Sequence, residues 1–195
     1  MKTANWACLF QPICKITSVS IFDLRMHILQ STLDDLETIF QLYDDAIVHQ
    51  KSVSDLYWLP FDRQLVEIEI AEGRQWKILA EDGQVAGVFV TAYSDPAIWG
   101  DQDHAPAVYL HRIVTNSKFR GQNLLARVVD WAKQHGKSLQ KKFVRLDTWA
   151  ANQKLKEIYL RNGFRFLFNA APADPSALPS HYSGILLGFY EMEID

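Results

Sequence analysis

The chain has 195 residues, 48% of them hydrophobic and 22% charged, with a net charge of −3 at neutral pH; this suffices to bury the core of one domain and excludes global disorder. A slightly acidic chain has no long-range attraction for phosphate backbones or anionic lipid, which argues against nucleic acid or membrane as the main partner. The two cysteines, Cys8 and Cys14, build no disulfide framework or metal cluster, and no apolar run approaches the roughly 20 residues that span a bilayer, so a cytoplasmic, metal-free protein is expected.

Residues 1–25 follow neither the helical nor the strand period cleanly, and Thr3, Asn5, Gln11 and Lys15 interrupt any apolar run of the kind a secretory signal needs. This segment reads as an N-terminal extension: an extra strand over 17–24, a disordered lead, or sequence upstream of a true start at Met26. The domain proper spans 26–195. Ser31 and Thr32 can cap a first helix whose acidic Asp34, Asp35 and Glu37 suit the positive end of its dipole. Its apolar residues recur at Leu36, Ile39, Phe40, Tyr43 and Ile47. A second helix is expected over about 62–71, ended by Gly73.

Residues 76–80 and 84–92 are β-rich, and the Asp82-Gly83 pair between them favours a tight antiparallel hairpin. The stretch 94–106, with Pro96, Pro106, Asp95, Asp101, Asp103 and Gly100, reads as a surface loop before a strand over 107–115. A turn over 116–121 leads into a helix that ends near Gly136. A strand over 143–148, a helix over 152–162 closed by Gly163, and strands over 164–168 and 184–191 complete the order. The loop 169–183, with three prolines, reads as a mobile connector. Strands alternating with helices in the second half imply an α/β domain with a mixed sheet and helices on its faces.

The segment that carries chemistry is 113–125, where a strand bends through Gly121 directly into an amphipathic helix. Backbone N–H groups at a helix start are unpaired and favour anions such as phosphate, and Arg120 can add charge. A plain strand-to-helix connection with a solvated Arg is the competing explanation.

From Leu110 onward the chain resembles the GNAT superfamily of N-acetyltransferases. Val114 ends the apolar strand that precedes an Arg/Gln-x-x-Gly-x-Gly/Ala pyrophosphate loop in that family. Val144-Arg145-Leu146-Asp147-Thr148 resembles its next strand, and Asn152 with Tyr159-Leu160-Arg161-Asn162-Gly163-Phe164 resembles its Asn plus Tyr-x-x-x-Gly-Phe ending. Aligned from Arg120, the family's two small residues fall on Asn123 and Leu125. Asn tolerates positive φ and can keep the turn, whereas a bulky Leu125 in the first helical turn could crowd the pyrophosphate.

The resemblance implies a GNAT fold: a central, mostly antiparallel sheet with helices on both faces. It implies acetyl-CoA as cosubstrate, bound by Ile113, Val114, Thr115, Arg120, Gly121, Gln122, Asn123, Leu124, Leu125 and Asn152. It also implies transfer of the acetyl group to a primary amine of a small molecule or peptide by direct attack on the thioester. Tyr159 aligns with the family's leaving-group acid; a core tyrosine is the alternative. His111 stands where some members hold a base, and by alternation it shares a face with Tyr109 and Ile113; a hydrogen-bonded structural histidine is the alternative. Asn152 could equally be a simple N-cap, and Lys154 and Lys156 either reach cofactor phosphates or are solvated. Trp58, Trp99 and Trp149 could line an acceptor pocket, with Asp101 and Asp103 favouring a cationic amine. The alternative to an enzyme is a non-catalytic acyl-CoA sensor or interaction module on the same fold. Oligomeric state, a homodimer included, stays open.

Overall fold

The computed structural model describes residues 26–195, so the expectations for residues 1–25 lie outside the described residues. Seven strands form one sheet in the order β1-β2-β3-β4-β5-β7-β6. They are β1 (Met26–Gln30), β2 (Gln75–Ala80), β3 (Val85–Ala92), β4 (Ala107–Thr115), β5 (Phe143–Trp149), β6 (Arg165–Ala170) and β7 (Leu187–Glu193). Every neighbouring pair is antiparallel except β4 with β5. The expected mixed, mostly antiparallel sheet is therefore present.

Helices α1 (Leu36–Val53) and α2 (Arg63–Ala71) cover one face, and α4 (Leu124–Ser138) and α5 (Gln153–Arg161) the other. Strand alternation shows this directly: Val88 packs with Leu36, Ile39 and Tyr43 of α1, while the next residue, Phe89, packs with Leu124, Val128 and Ala132 of α4. Each buried Leu, Ile or Phe on these stripes contributes about 1.5–3 kcal/mol. The α1 stripe departs slightly from expectation, with Leu42 buried and Phe40 only partly so. Asp62 caps α2 by accepting the Gln64 N–H at 2.7 Å. Asp35 accepts the Thr32 N–H at 2.8 Å and pairs with Lys77 at 2.6 Å, so one carboxylate both opens the first helical segment and ties it to β2.

Two loops differ from the sequence expectation. Residues 94–106 form a short helix, α3 (Pro96–Trp99), and a 3-10 turn over Gly100–His104. Ile98 and Trp99 are buried against Tyr109, Leu187 and Phe189, so this is a packed cover over the sheet rather than a surface loop. Pro96 at the first turn of α3 starts the helix without forfeiting a bond. The connector 169–183 is fastened to α3 by the Asp174 N–H, which donates to the Ala97 carbonyl at 2.8 Å, and Tyr182 packs on the same apolar cluster. Prolines there shape 3-10 turns at Pro175–Ala177 and Ser180–Tyr182.

Candidate active site

Strands β4 and β5 pair only at their beginnings, Ala107 with Phe143, Val108 with Val144 and Tyr109 with Arg145. Beyond that point β4 stays paired with β3 as far as Thr115, and β5 keeps its register with β7 as far as Trp149. The two strands therefore part, and a wedge opens between their C-terminal halves. Ligands of sheets with parallel strands enter at such carboxyl ends, where backbone groups lack strand partners.

A bulge sharpens the opening. Between Val88 and Val90 of β3 the register of β4 jumps from Val114 to His111, so β4 carries one extra residue there, and Arg112 takes φ 48°. The extra residue breaks the period of two. Ile113 packs with Leu110 on the α4 face, while Val114 packs beneath α1 and Tyr109 lies with Trp99. His111 and Ile113 are thus on opposite faces, contrary to simple alternation.

His111 faces Asp95, its Nε2 lying 3.4 Å from the Asp95 Oδ2. One ligating atom each from Asp95, His111 and Asp147 lies within 4.8 Å of the others. Asp147 is two residues beyond Arg145 on β5, as His111 is two beyond Tyr109 on β4, so the two face each other across the wedge. Asp103 accepts the Asp95 N–H at 2.7 Å and the Ser94 hydroxyl at 2.6 Å, which fixes the loop that presents Asp95.

Burial, with the charges of Arg112 and Arg74, pulls the His111 imidazole down to about 4. It is neutral across the physiological range. Burial and the neighbouring Asp103 push the Asp95 carboxyl up to about 6, against a hydrogen bond from the Ile98 backbone that lowers it. Burial and the charge of Asp95 push Asp147 up to about 7. Groups that titrate near neutrality are suited to taking a proton from an amine. Arg112 pairs with Glu69 and lies against the rings of Tyr43 and Phe61, so its charge is held beside the site by α2.

Tyr159 is buried on α5 in edge contact with Phe164 and Tyr190. Its phenol is pushed well above the ordinary range by burial first, then by the charge of Asp147 and by Tyr190. The coupling to Asp147 joins the α5 face to the carboxylate cluster through the wedge. Burial first, then the charges of Asp147 and Asp95, push the Tyr182 phenol well above its ordinary range against the charge of Arg112, so this residue of the 169–183 connector lies within the field of the cluster.

Both strands that border the wedge lead into helix N-termini. After β4, Thr115 is exposed, Asn116 accepts the Lys118 N–H at 3.1 Å, and Arg120 and Gln122 are exposed on the turn. Gly121 has φ 82° with open space where a Cβ would project, so its conformation rather than crowding favours glycine there. Asn123, at φ 53° and ψ 40°, is in the left-handed region and is the N-cap of α4. The Ala126 N–H closes the first turn on the Asn123 carbonyl at 3.1 Å; Leu124 and Leu125 before it have no preceding helical carbonyl to bond. Leu124 is buried and Leu125 packs against the same core, so the Leu125 side chain is directed into the protein instead of filling the turn. Asn123→Gly should leave stability within about 0.5 kcal/mol, whereas Asn123→Val should cost about 1–2 kcal/mol, read by urea unfolding.

After β5, Asn152 caps α5 by accepting the Leu155 N–H at 3.1 Å, which leaves its amide N–H₂ free of that duty. Lys156 lies over the Phe166 ring at 4.3 Å, and Lys154 is exposed. Trp99 and Trp149 share one apolar cluster, but Trp58 belongs to another, against Phe61 below α1. The sequence singled out Asp101 and Asp103 as pocket acids; Asp101 is exposed, and Asp103 serves to hold Asp95. An open depression of about 480 Å³ bordered by Gln102, Phe143 and Phe166 includes none of the wedge residues.

The residues that sequence reasoning passed over are Asp95, Asp147, Arg112 and Tyr182. A signal for Asp147 was present: Arg145 and Asp147 put charge at every second position of a strand in the middle of the sheet, where apolar residues are the norm.

A model of the Acetyltransferase (GNAT) family matches residues 33–164, more than half of the chain. An N-acetyltransferase of Bacillus subtilis, YesJ, described as uncharacterized, is 38% identical over 73 residues, 37% of this chain and 41% of the relative. The chain thus aligns with about two-fifths of that relative's length. Among solved structures, a GNAT-family acetyltransferase of Listeria monocytogenes shares the fold at TM-score 0.70 and 24% identity, over 86% of this chain and 94% of its own. The structure of yncA of Salmonella typhimurium, described with its cofactor acetyl-CoA, superposes at TM-score 0.61 and 14% identity, over 88% and 95% of the two chains. With its parted β4 and β5, the chain belongs to the acetyltransferase (GNAT) family.

Proposed function

We propose that this protein is a cytoplasmic N-acetyltransferase that moves the acetyl group of acetyl-CoA to a primary amine of a small molecule or peptide by direct attack on the thioester. The observation that carries this is the wedge: it has a phenol on the α5 side, titratable carboxylates and a neutral imidazole on the opposite side, and a helix N-terminus beyond each strand. No described helix is long and apolar enough to cross a membrane.

The residues present suit acetyl-CoA. Left-handed Asn123 and Gly121 turn the chain so that the Leu124 and Leu125 N–H groups open toward the turn, where a pyrophosphate is favoured, with Arg120 and Gln122 beside it. The unpaired edge of β4 over Ile113, Val114 and Thr115 supplies backbone groups for the pantetheine arm and the acetyl carbonyl. The Asn152 amide supplies a further donor. Acetyl-CoA contributes an activated thioester whose sulfur leaves as a thiolate. Tyr159, held protonated by its environment, donates its O–H proton to that sulfur. His111 has too little basicity to store the amine's proton; it passes a proton on toward the carboxylates and solvent.

Acetyl-CoA at about 100-fold above its Kd should stabilise the protein by about 2.7 kcal/mol, a rise of about 5–10 °C in Tm for a domain of this size. No stabilisation at millimolar acetyl-CoA would overturn the cofactor assignment. Thiol release across a panel of amines then separates an enzyme from a sensor that only binds.

A further inference from the structure

Each of the two carboxylates of the wedge keeps one oxygen without a partner. Asp95 Oδ2 and Asp147 Oδ1 are buried, and neither has a hydrogen-bond partner among the described residues. They stand in one cluster with His111. The cations whose fields reach the cluster are paired with other carboxylates, Arg112 through Nη2 and Arg74 with Glu69, and Arg74 also with Glu72, while Arg112 Nη1 is itself buried without a partner among the described residues. Tyr159 and Tyr182 face it with neutral hydroxyls, and Asp103 adds a further negative charge behind Asp95. What the site lacks is a compact cation with several N–H donors.

The three ligating atoms lie within 4.8 Å of one another, which leaves room for one ammonium, whose N–H bonds of about 2.8 Å at a tetrahedral angle reach oxygens about 4.6 Å apart.

Resting on the acetyl-transfer reading, we infer that Asp95 and Asp147 seat the ammonium group of a cationic primary amine and that Asp147 takes the proton that frees it for attack. Asp95 is anchored beside His111, whereas Asp147 lies across the wedge in the field of Tyr159. The ammonium gives one proton to the Asp147 carboxylate, and the nitrogen lone pair forms the C–N bond. The C–S bond breaks with its electron pair on sulfur, which takes the Tyr159 proton. Asp147 then returns its proton to the Tyr159 oxygen, and the second N–H proton leaves through His111 to solvent. One proton is released per turnover, as the conversion of an ammonium and a thioester to an amide and a thiol requires.

The sign of the pH dependence follows. Asp147 and Asp95 must be ionised to hold and deprotonate the amine, so kcat/KM should rise with pH through about 6 to 7. Asp147→Asn should remove the part of that limb near 7 and leave the part near 6 that belongs to Asp95.

The test uses the full chain and its Asp147→Asn and Asp95→Asn variants. The probes are amines ionised at pH 7 (butylamine, 1,4-diaminobutane, glycinamide) and the neutral amines aniline and benzhydrazide. Asp147→Asn is expected to lower kcat/KM for the best ionised amine by at least about 10-fold more than for the neutral amines. In the presence of CoA, the best ionised amine should raise the Tm of the parent protein and not that of Asp147→Asn. Both variants should keep their acetyl-CoA stabilisation, since Asn preserves shape and removes like-charge repulsion. Equal losses for both amine classes, or preference for the neutral amines, would overturn the seat. So would stabilisation by Zn²⁺ or Mn²⁺ that no ionised amine matches. If acetyl-CoA itself fails to stabilise the parent protein, the acetyl-transfer reading falls, and the seat with it; if acetyl-CoA binds and the amines behave otherwise, the seat alone falls.

Discussion

Tyr159→Phe is expected to lower turnover by about 10²–10⁴-fold, the range over which a positioned general acid contributes, with apparent acetyl-CoA affinity changed by no more than about 2-fold. The phenyl ring keeps the edge contacts to Phe164 and Tyr190 that hold the end of α5, so the substitution removes one O–H and little packing. Burial and the charge of Asp147 keep that O–H protonated at neutral pH, the state in which it can donate. The proton is needed only as the C–S bond breaks. Hence kcat and kcat/KM should fall by equal factors, the pattern of an interaction made in the transition state alone. Thiol release at saturating amine measures the first quantity, and the acetyl-CoA thermal shift controls for binding. Unchanged turnover would return Tyr159 to the role of a core residue.

The sequence was most legible where local chemistry and tertiary packing agree. Most of the α1 stripe, the second helix, the hairpin at Asp82-Gly83 and β4 over Ala107–Thr115 stand as periodicity and turn residues indicate, because each is specified by neighbours in the chain. The Asn123 turn was legible for the same reason: its side chain tolerates the left-handed region it occupies. Where the Leu125 side chain goes was not legible, because it packs against a core built from distant segments, with Trp76, Phe89 and Val128 among them. The carboxylate cluster was hidden more deeply. Asp95, His111 and Asp147 come from a loop and two strands, and only the parting of β4 and β5 makes them neighbours. The bulge at Arg112 is likewise invisible to a count by twos. Proline-rich stretches read as loose loops, yet residues 94–106 and 169–183 pack on one another because Ile98, Trp99 and Tyr182 supply apolar anchors.

Arg145→Met should cost about 3–5 kcal/mol of stability, with an unchanged urea m-value if unfolding stays two-state. Arg145 and Glu191 are paired at 2.7 Å with side-chain exposures of only 5% and 7%. The guanidinium also stacks over Trp99, Phe143 and Tyr109. Met keeps much of the apolar stem but leaves Glu191 with Arg165 at 3.0 Å, a partner that is 69% exposed and weakly compensating. Arg145→Met combined with Glu191→Leu should recover more than half of the loss, because the penalty is the stranded carboxylate rather than the missing attraction. A functional effect should accompany the loss. Arg145 Nη1 donates to the Gln102 carbonyl at 2.7 Å and so ties down the turn that follows Asp95 and α3. The same strand carries Asp147 two residues on, facing the same side. Below the point where β4 and β5 part, one buried cation therefore holds both carriers of the carboxylate cluster. In Arg145→Met the KM for amine should rise several-fold more than the KM for acetyl-CoA, whose turn lies beyond β4 at the start of α4. Equal changes in both KM values would confine Arg145 to stability.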